Sequence, residues 1–319
     1  MQKKKNFQKN PNKHADKAFV HEKLDGTEQE GLIIAHFGAS AEVEDNAGHV
    51  YHCHLRRNAE PSITGDHVLW RLEQDNKTGI VASVLPRQSL LARPERKNKL
   101  KLIAANVDAI IIATAPAPLL SERLIDRYLV AAANLNIPAA ILLNKIDLLT
   151  EQELTELKAA LSVYQKMGYP VIYSSIYQDG LKDLGEYLLG KTSVLVGASG
   201  VGKSSIIAAF TGLTDIMIGE VSTAARLGKH TTTTTRLYHL PQGGNLIDSP
   251  GVREFSLWHL PPSDILQGFI DFRPYLGACQ FRNCSHHSEP GCGLLEAVAE
   301  NKISPDRWAS YQEILHDFG

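Results

Sequence analysis

The residues best suited to chemistry begin at Gly197-Ala198-Ser199-Gly200-Val201-Gly202-Lys203-Ser204, with Ser205 behind them. The spacing is GxxxxGK[ST], preceded by the apolar run 193–196 and followed by a helix-compatible run, 205–210. Glycines let a backbone wrap a phosphate chain so that N–H groups and a helix N-terminus point at the anion. Lys203 supplies a point charge to the β- and γ-phosphates, and Ser204 a hydroxyl for Mg2+. A glycine-rich turn with a chance lysine explains far less of this context.

Other stretches fit the same ligand. Asn144-Lys145-Ile146-Asp147 follows the apolar run 139–143, at the carboxyl end where α/β sheets bind ligands. A carboxylate there can accept hydrogen bonds from both N1–H and the exocyclic amine of guanine, donors that adenine lacks in that arrangement. Leaving the carboxylate unpaired is costly, so selection against adenine is strong. Taken alone, Asn144 and Asp147 serve equally well as a cap after a strand. Beside a phosphate loop they read as a guanine site. Ser174-Ser175, after a third apolar run, would support the base through backbone contacts.

Asp248-Ser249-Pro250-Gly251 lies 45 residues beyond Lys203 and follows Leu246-Ile247. An aspartate in that position holds Mg2+ directly or through water, and the Gly251 N–H can meet a γ-phosphate. A turn of this composition is also common without any ligand. Between the two lies Gly228-Lys229-His230-Thr231-Thr232-Thr233, where a threonine can bind Mg2+ and sense the γ-phosphate. Thr232 is the expected one, with Thr231 and Thr233 left open.

A separate constellation is Cys279-x4-Cys284-x-His286-x5-Cys292, three thiols and one imidazole within 14 residues. This composition matches a tetrahedral Cys3His zinc site, and four protein ligands imply a structural metal. His287 competes as the nitrogen ligand, but the spacing favours His286. Cys53 reads instead as a buried thiol, and its neighbours His52 and His54 as a surface pair.

The elements that must position these groups are legible around them. Between residues 31 and 86, five short strand-like runs are separated by turn residues, which predicts a small closed barrel of OB type. A basic hinge follows, with Arg93, Arg96, Lys97, Lys99 and Lys101 against Glu95. Strands then alternate with helices, as in a parallel sheet with covering helices. From about residue 258, prolines, aromatics and cysteines mark a smaller module. The first 17 residues carry six lysines against one aspartate and read as a basic arm.

Composition bounds the rest. The 319 residues are 43% apolar and 21% charged, which excludes disorder, and the net charge of −2 excludes an evenly basic surface. No apolar run approaches the roughly 20 residues of a membrane span. The lysine-rich start has no apolar segment behind it, and four cysteines do not form a disulfide framework. A soluble, cytoplasmic protein without membrane partners is expected, as a monomer.

The motif order is unusual. An ordinary GTPase presents the phosphate loop first, then the switch threonine, DxxG, NKxD and the serine loop. Here NKID and Ser174-Ser175 precede the phosphate loop, and DSPG closes the set. Because termini of a compact domain lie close together, the parts can still converge. The DSPG loop then runs directly into the C-terminal module.

The set NKID, SS, GASGVGKSS, GKHTTTTTRLYH, DSPGVREF and C-x4-C-x-H-x5-C resembles the RsgA family, the circularly permuted GTPases of small ribosomal subunit biogenesis in bacteria. The resemblance covers about residues 31–300. It implies a multidomain α/β chain: an OB-type β-barrel that binds rRNA (31–92), a circularly permuted P-loop GTPase domain (93–257) and a zinc-binding domain (258–319), while the basic arm (1–30) and the stretch from about 301 match none of its motifs. It also implies slow conversion of GTP to GDP and phosphate, stimulated by the small (30S) subunit in late maturation, and a role in releasing ribosome-binding factor A. Where many GTPases carry a water-orienting glutamine after DxxG, this chain has Val252. His230 is the substitute in reach, unless it docks on RNA or the zinc module. Two rival readings are a metabolic P-loop enzyme and an RNA-binding module with a vestigial nucleotide site. The first leaves NKID unexplained; the second leaves Lys203, Ser204 and Asp248 unexplained.

Overall fold

Alternating apolar residues build the first part of the chain. The computed structural model describes residues 28–56, 60–73, 77–95, 99–117, 120–177, 180–213, 235–248 and 260–317. Residues 1–27 of the basic arm, His230, Thr231 to Thr233, Gly251 and Val252 lie outside the described residues. Strands β1 (Gln29–His36), β2 (Ser40–Asp45), β3 (Val50–Leu55), β4 (His67–Leu72) and β5 (Thr78–Val84) turn every second side chain inward. Ile33, Ala41, Val43, Cys53, Val68, Trp70 and Val81 fill the interior. β1 pairs with both β2 and β4, and β3 runs parallel to β5, so the five strands close into a barrel.

The expected hinge is a hairpin. β6 (Leu90–Glu95) and β7 (Lys99–Ala105) pair antiparallel, with Arg93 opposite Lys101. Leu91, Ile103, Ala104 and Ala105 are buried beneath it. Counting charges had hidden this apolar content.

The nucleotide-type layer follows in strict alternation. Its elements are β8 (Ala109–Thr114), α1 (Glu122–Leu135), β9 (Ala139–Leu143), α2 (Glu151–Lys166), β10 (Val171–Tyr173), α3 (Lys182–Leu188), β11 (Thr192–Val196) and α4 (Lys203–Thr211). The strands β12 (Arg236–His239) and β13 (Asn245–Asp248) complete it. The order across the sheet is β10-β9-β8-β11-β13-β12, parallel except for the β12–β13 pair. Every residue of β8 and β9 is buried, as strands covered on both faces must be. Capping fixes the helix starts: the Ser121 side chain accepts from Leu124 N, and Thr150 with Glu153 forms a reciprocal capping box.

The C-terminal module holds α5 (Pro262–Gly268), α6 (Gly293–Ala299) and α7 (Pro305–His316). Phe269, Phe272, Trp308 and Tyr311 stack into one aromatic cluster with ring centroids 4.8–5.8 Å apart. The module docks on α1 through a buried charged group: Arg307 pairs with Asp126 of α1 and with Asp271, 2.7 Å away. The Tyr164 hydroxyl of α2 donates to Asp126 at 2.8 Å. Among the described residues, no helix is long and apolar enough to cross a membrane.

Candidate nucleotide and metal sites

β11 delivers the phosphate loop from the middle of the sheet. Gly197 has φ +137°, and a Cβ there would lie 2.1 Å from the Ala113 carbonyl oxygen of neighbouring β8. Gly202, at φ +98°, is the residue before α4, and its Cβ would sit 2.4 Å from Asn144 Nδ2. Both positions demand glycine, for conformation and for space. Lys203 Nζ donates to the carbonyls of Gly197 and Ala198, 2.7 Å each, so the loop wraps its own ammonium. Ser204 and Ser205 follow in the first turn of α4, which aims its N-terminal N–H groups toward the loop.

The guanine-type loop is tied to this cradle by side chains. Asn144, buried at the end of β9, donates from Nδ2 to Val201 O (2.9 Å) and accepts from Ser174 Oγ (3.1 Å). Lys145 adopts φ +61°, which turns its ammonium onto Gly200 O (2.6 Å) and Ala117 O (3.2 Å). Ile146 and Asp147 open a short 3-10 turn, and Ile146 N donates to Ser174 O. Asp147 is exposed, and its Oδ1 accepts from Ser175 Oγ at 2.6 Å. The structure therefore brings Asn144, Lys145, Asp147, Ser174 and Ser175 together with Gly200, Val201 and Gly202.

Asp248 ends β13, whose neighbour β11 leads into the phosphate loop. A serine hydroxyl and a carboxylate are hard oxygen donors of the kind that Mg2+ takes. Beside the loop, Ile112, Thr114, Ser121, Leu124, Ile125 and Tyr128 line a small cavity with Ala198 and Val201. Sequence reasoning did not single out α1 as a wall of the site.

The second cluster is compact. The ligand-type atoms of Cys279, Cys284, His286 and Cys292 all lie within 4.8 Å of one another. Cys279 Sγ is 3.5 Å from His286 Nδ1 and 4.0 Å from Cys292 Sγ, and His286 Nδ1 is 3.4 Å from Cys292 Sγ. Zinc–ligand bonds of 2.0–2.3 Å in a tetrahedron require edges of about 3.5–3.8 Å, and the separations of 3.4–4.0 Å lie near these, so the four residues could hold one zinc ion after small side-chain shifts. His286 has φ +60°, the left-handed turn that brings its ring to the thiols. His287 is exposed; its backbone N–H donates to Glu289, whose carboxyl is held well below its usual range chiefly by the Ser285 hydroxyl. Chelating the metal is expected to open residues 279–292 to protease cleavage while leaving the barrel protected, because such ligand sets fold with their ion. Unchanged protection after complete chelation would remove zinc from the picture.

A phosphate loop at the head of a central parallel strand, with an NKxD loop bonded to it from the next strand but one, defines a P-loop nucleotide-binding domain. Its motifs run in permuted chain order. The RsgA GTPase family model matches residues 84–258, more than half of the chain, and the chain belongs to that family of GTPases. Two solved structures are similar along nearly the whole length. YjeQ from Thermotoga maritima shares 29% identity with a TM-score of 0.73, covering 92% of this chain and 99% of its own. YloQ, described as a circularly permuted GTPase, shares 27% identity with a TM-score of 0.71, covering 92% and 95%.

Proposed function

We propose that this chain is a GTP-hydrolysing switch of small ribosomal subunit maturation, in the cytoplasm and as a monomer. One observation supports it most. Asn144 bonds the Val201 carbonyl of the phosphate loop on one side and Ser174 of the base loop on the other. A guanine held by Asp147 would then lead its triphosphate into the cradle of residues 197–205. A small-molecule kinase has no use for that linkage.

In this reading Lys203 and the loop N–H groups hold the β- and γ-phosphates, and Ser204, Asp248 and Thr232 hold Mg2+. Bound Mg2+ neutralises charge developing between the phosphates. Gly251 senses the γ-phosphate. Val252 cannot orient water, so slow hydrolysis falls to His230 as the residue that positions or deprotonates it. The divisions at 30, 92 and 257 separate arm, rRNA-binding barrel, GTPase domain and zinc-binding domain. The basic arm and the cations near residue 97 supply attraction to rRNA phosphates. Release of ribosome-binding factor A from the 30S particle belongs to the same proposal.

The experiment is GTP turnover with purified small subunits, large subunits and neither. Stimulation of at least about tenfold by small subunits alone is the expected result, well short of the roughly 1,000-fold or more that a trans-acting group can supply to a slow GTPase. Equal rates in all three would overturn the ribosomal assignment.

A further inference from the structure

The barrel joins the nucleotide-binding sheet at the level of Asp248. Ala35 of β1 lies opposite Arg236 of β12, and Arg236 lies opposite Asp248 of β13. Barrel, β12 and the carboxylate thus occupy one row across three strands. Side chains reinforce the row. Arg236 Nη2 is 3.0 Å from Glu42 Oε2, and His239 Nε2 is 2.5 Å from Glu44 Oε2, both acids on β2 of the barrel. Thr64, fully buried between β3 and β4, donates from Oγ1 to the carbonyl of Thr235 at 2.9 Å. Its own carbonyl accepts from Ala105 N at 3.0 Å. Thr235 immediately precedes β12.

These contacts are unequal. The Arg236 and His239 side chains are 42% and 51% exposed, and exposed ion pairs contribute little. The Thr64 hydroxyl has no exposure, and removing it leaves a carbonyl without this donor. A barrel attached only by its linker would need none of this.

We propose that Thr64 is a positioning residue for the nucleotide site. Its bond to Thr235, seconded by the Glu42–Arg236 pair, sets β12 and through it the Asp248 end of β13. The barrel thereby takes part in Mg2+-dependent binding of the triphosphate. By reciprocity, whatever occupies the barrel shifts that binding, and the triphosphate shifts the barrel. The inference rests on reading Asp248 as a residue on the Mg2+ side.

The test measures binding of a fluorescent, non-hydrolysable GTP analogue to the full chain while Mg2+ is titrated. Thr64→Val is expected to raise the Mg2+ midpoint about fivefold, the lower end of typical coupling between sites. Binding without Mg2+ should stay unchanged, and Thr64→Ser, which keeps the hydroxyl, should restore the wild-type midpoint. A merely structural role would weaken binding equally at every Mg2+ concentration and overturn the proposal. Glu42→Gln, a near-isosteric change at a half-buried side chain, carries the test should Thr64→Val fail to fold; it should shift the midpoint about twofold and add nothing to Arg236→Gln. Asp248→Asn is the control. If it moves the midpoint while Thr64→Val and Glu42→Gln do not, the inference alone falls. If Asp248→Asn leaves the midpoint in place, the reading of Asp248 falls and takes the inference with it.

Discussion

Asp147→Asn is expected to lower affinity for GTP about a hundredfold and to create affinity for xanthosine triphosphate. The arithmetic follows from hydrogen bonds to a charged acceptor, worth about 1.5–3 kcal/mol each, of which guanine can donate two. An amide offers one oxygen where the carboxylate offered two, and places N–H donors against the exocyclic amine. Xanthine carries a carbonyl at that position and accepts from the new amide. The carboxylate is already aimed: Ser175 Oγ donates to Oδ1 at 2.6 Å, leaving the exposed remainder of the group for the base. Competitive displacement of a labelled nucleotide by GTP, ATP and xanthosine triphosphate reads the outcome. Unaltered GTP affinity, or equal affinity for ATP in the parent chain, would return the metabolic P-loop enzyme to first place.

Arg307→Leu is expected to cost about 3–5 kcal/mol of stability, because it strands two carboxylates behind one departed cation. Asp126 is 1% exposed and its Oδ2 is among the buried atoms without a hydrogen-bond partner. Burial pushes its carboxyl pKa up, and Arg307 is the leading influence holding it down. Removing the arginine raises that pKa further. A carboxyl whose folded pKa is raised costs stability as pH climbs through the shifted value, so the loss should be larger near pH 8 than near pH 5. The paired variant Arg307→Leu with Asp126→Leu should recover most of the loss. Thermal melts at both pH values, with hydrogen exchange on α1 and α7, test this. A loss independent of pH would place the damage in packing against Phe269, whose ring lies 4.5 Å from the guanidinium.

What the sequence made legible was local. The barrel strands and the strand before each motif follow from period, turn residues and short spacings. The family resemblance, too, was carried by contiguous strings. What escaped was pairing between distant segments. Asn144 meets Val201 across 57 positions, Arg307 meets Asp126 across 181, and Thr64 meets Thr235 across 171. Nothing in the neighbourhood of Thr64 marks it, since one buried threonine resembles another. The hairpin of residues 90–105 was hidden for a different reason: charged residues dominate its composition, while its buried Leu91 and Ile103 are few.

The bridge between Ala35 and Arg236 also bears on how the chain could be divided. Eleven strands are hydrogen-bonded in one series, from β10 through β12 into the barrel and on to β4. Severing the first 89 residues would strip β12 of its bridge to β1 and leave that strand as the uncovered rim of the sheet. Such a rim templates self-association. The first five strands thus act as a molecular hem, and a shortened protein would meet its fate in the pellet before any question of catalysis arose.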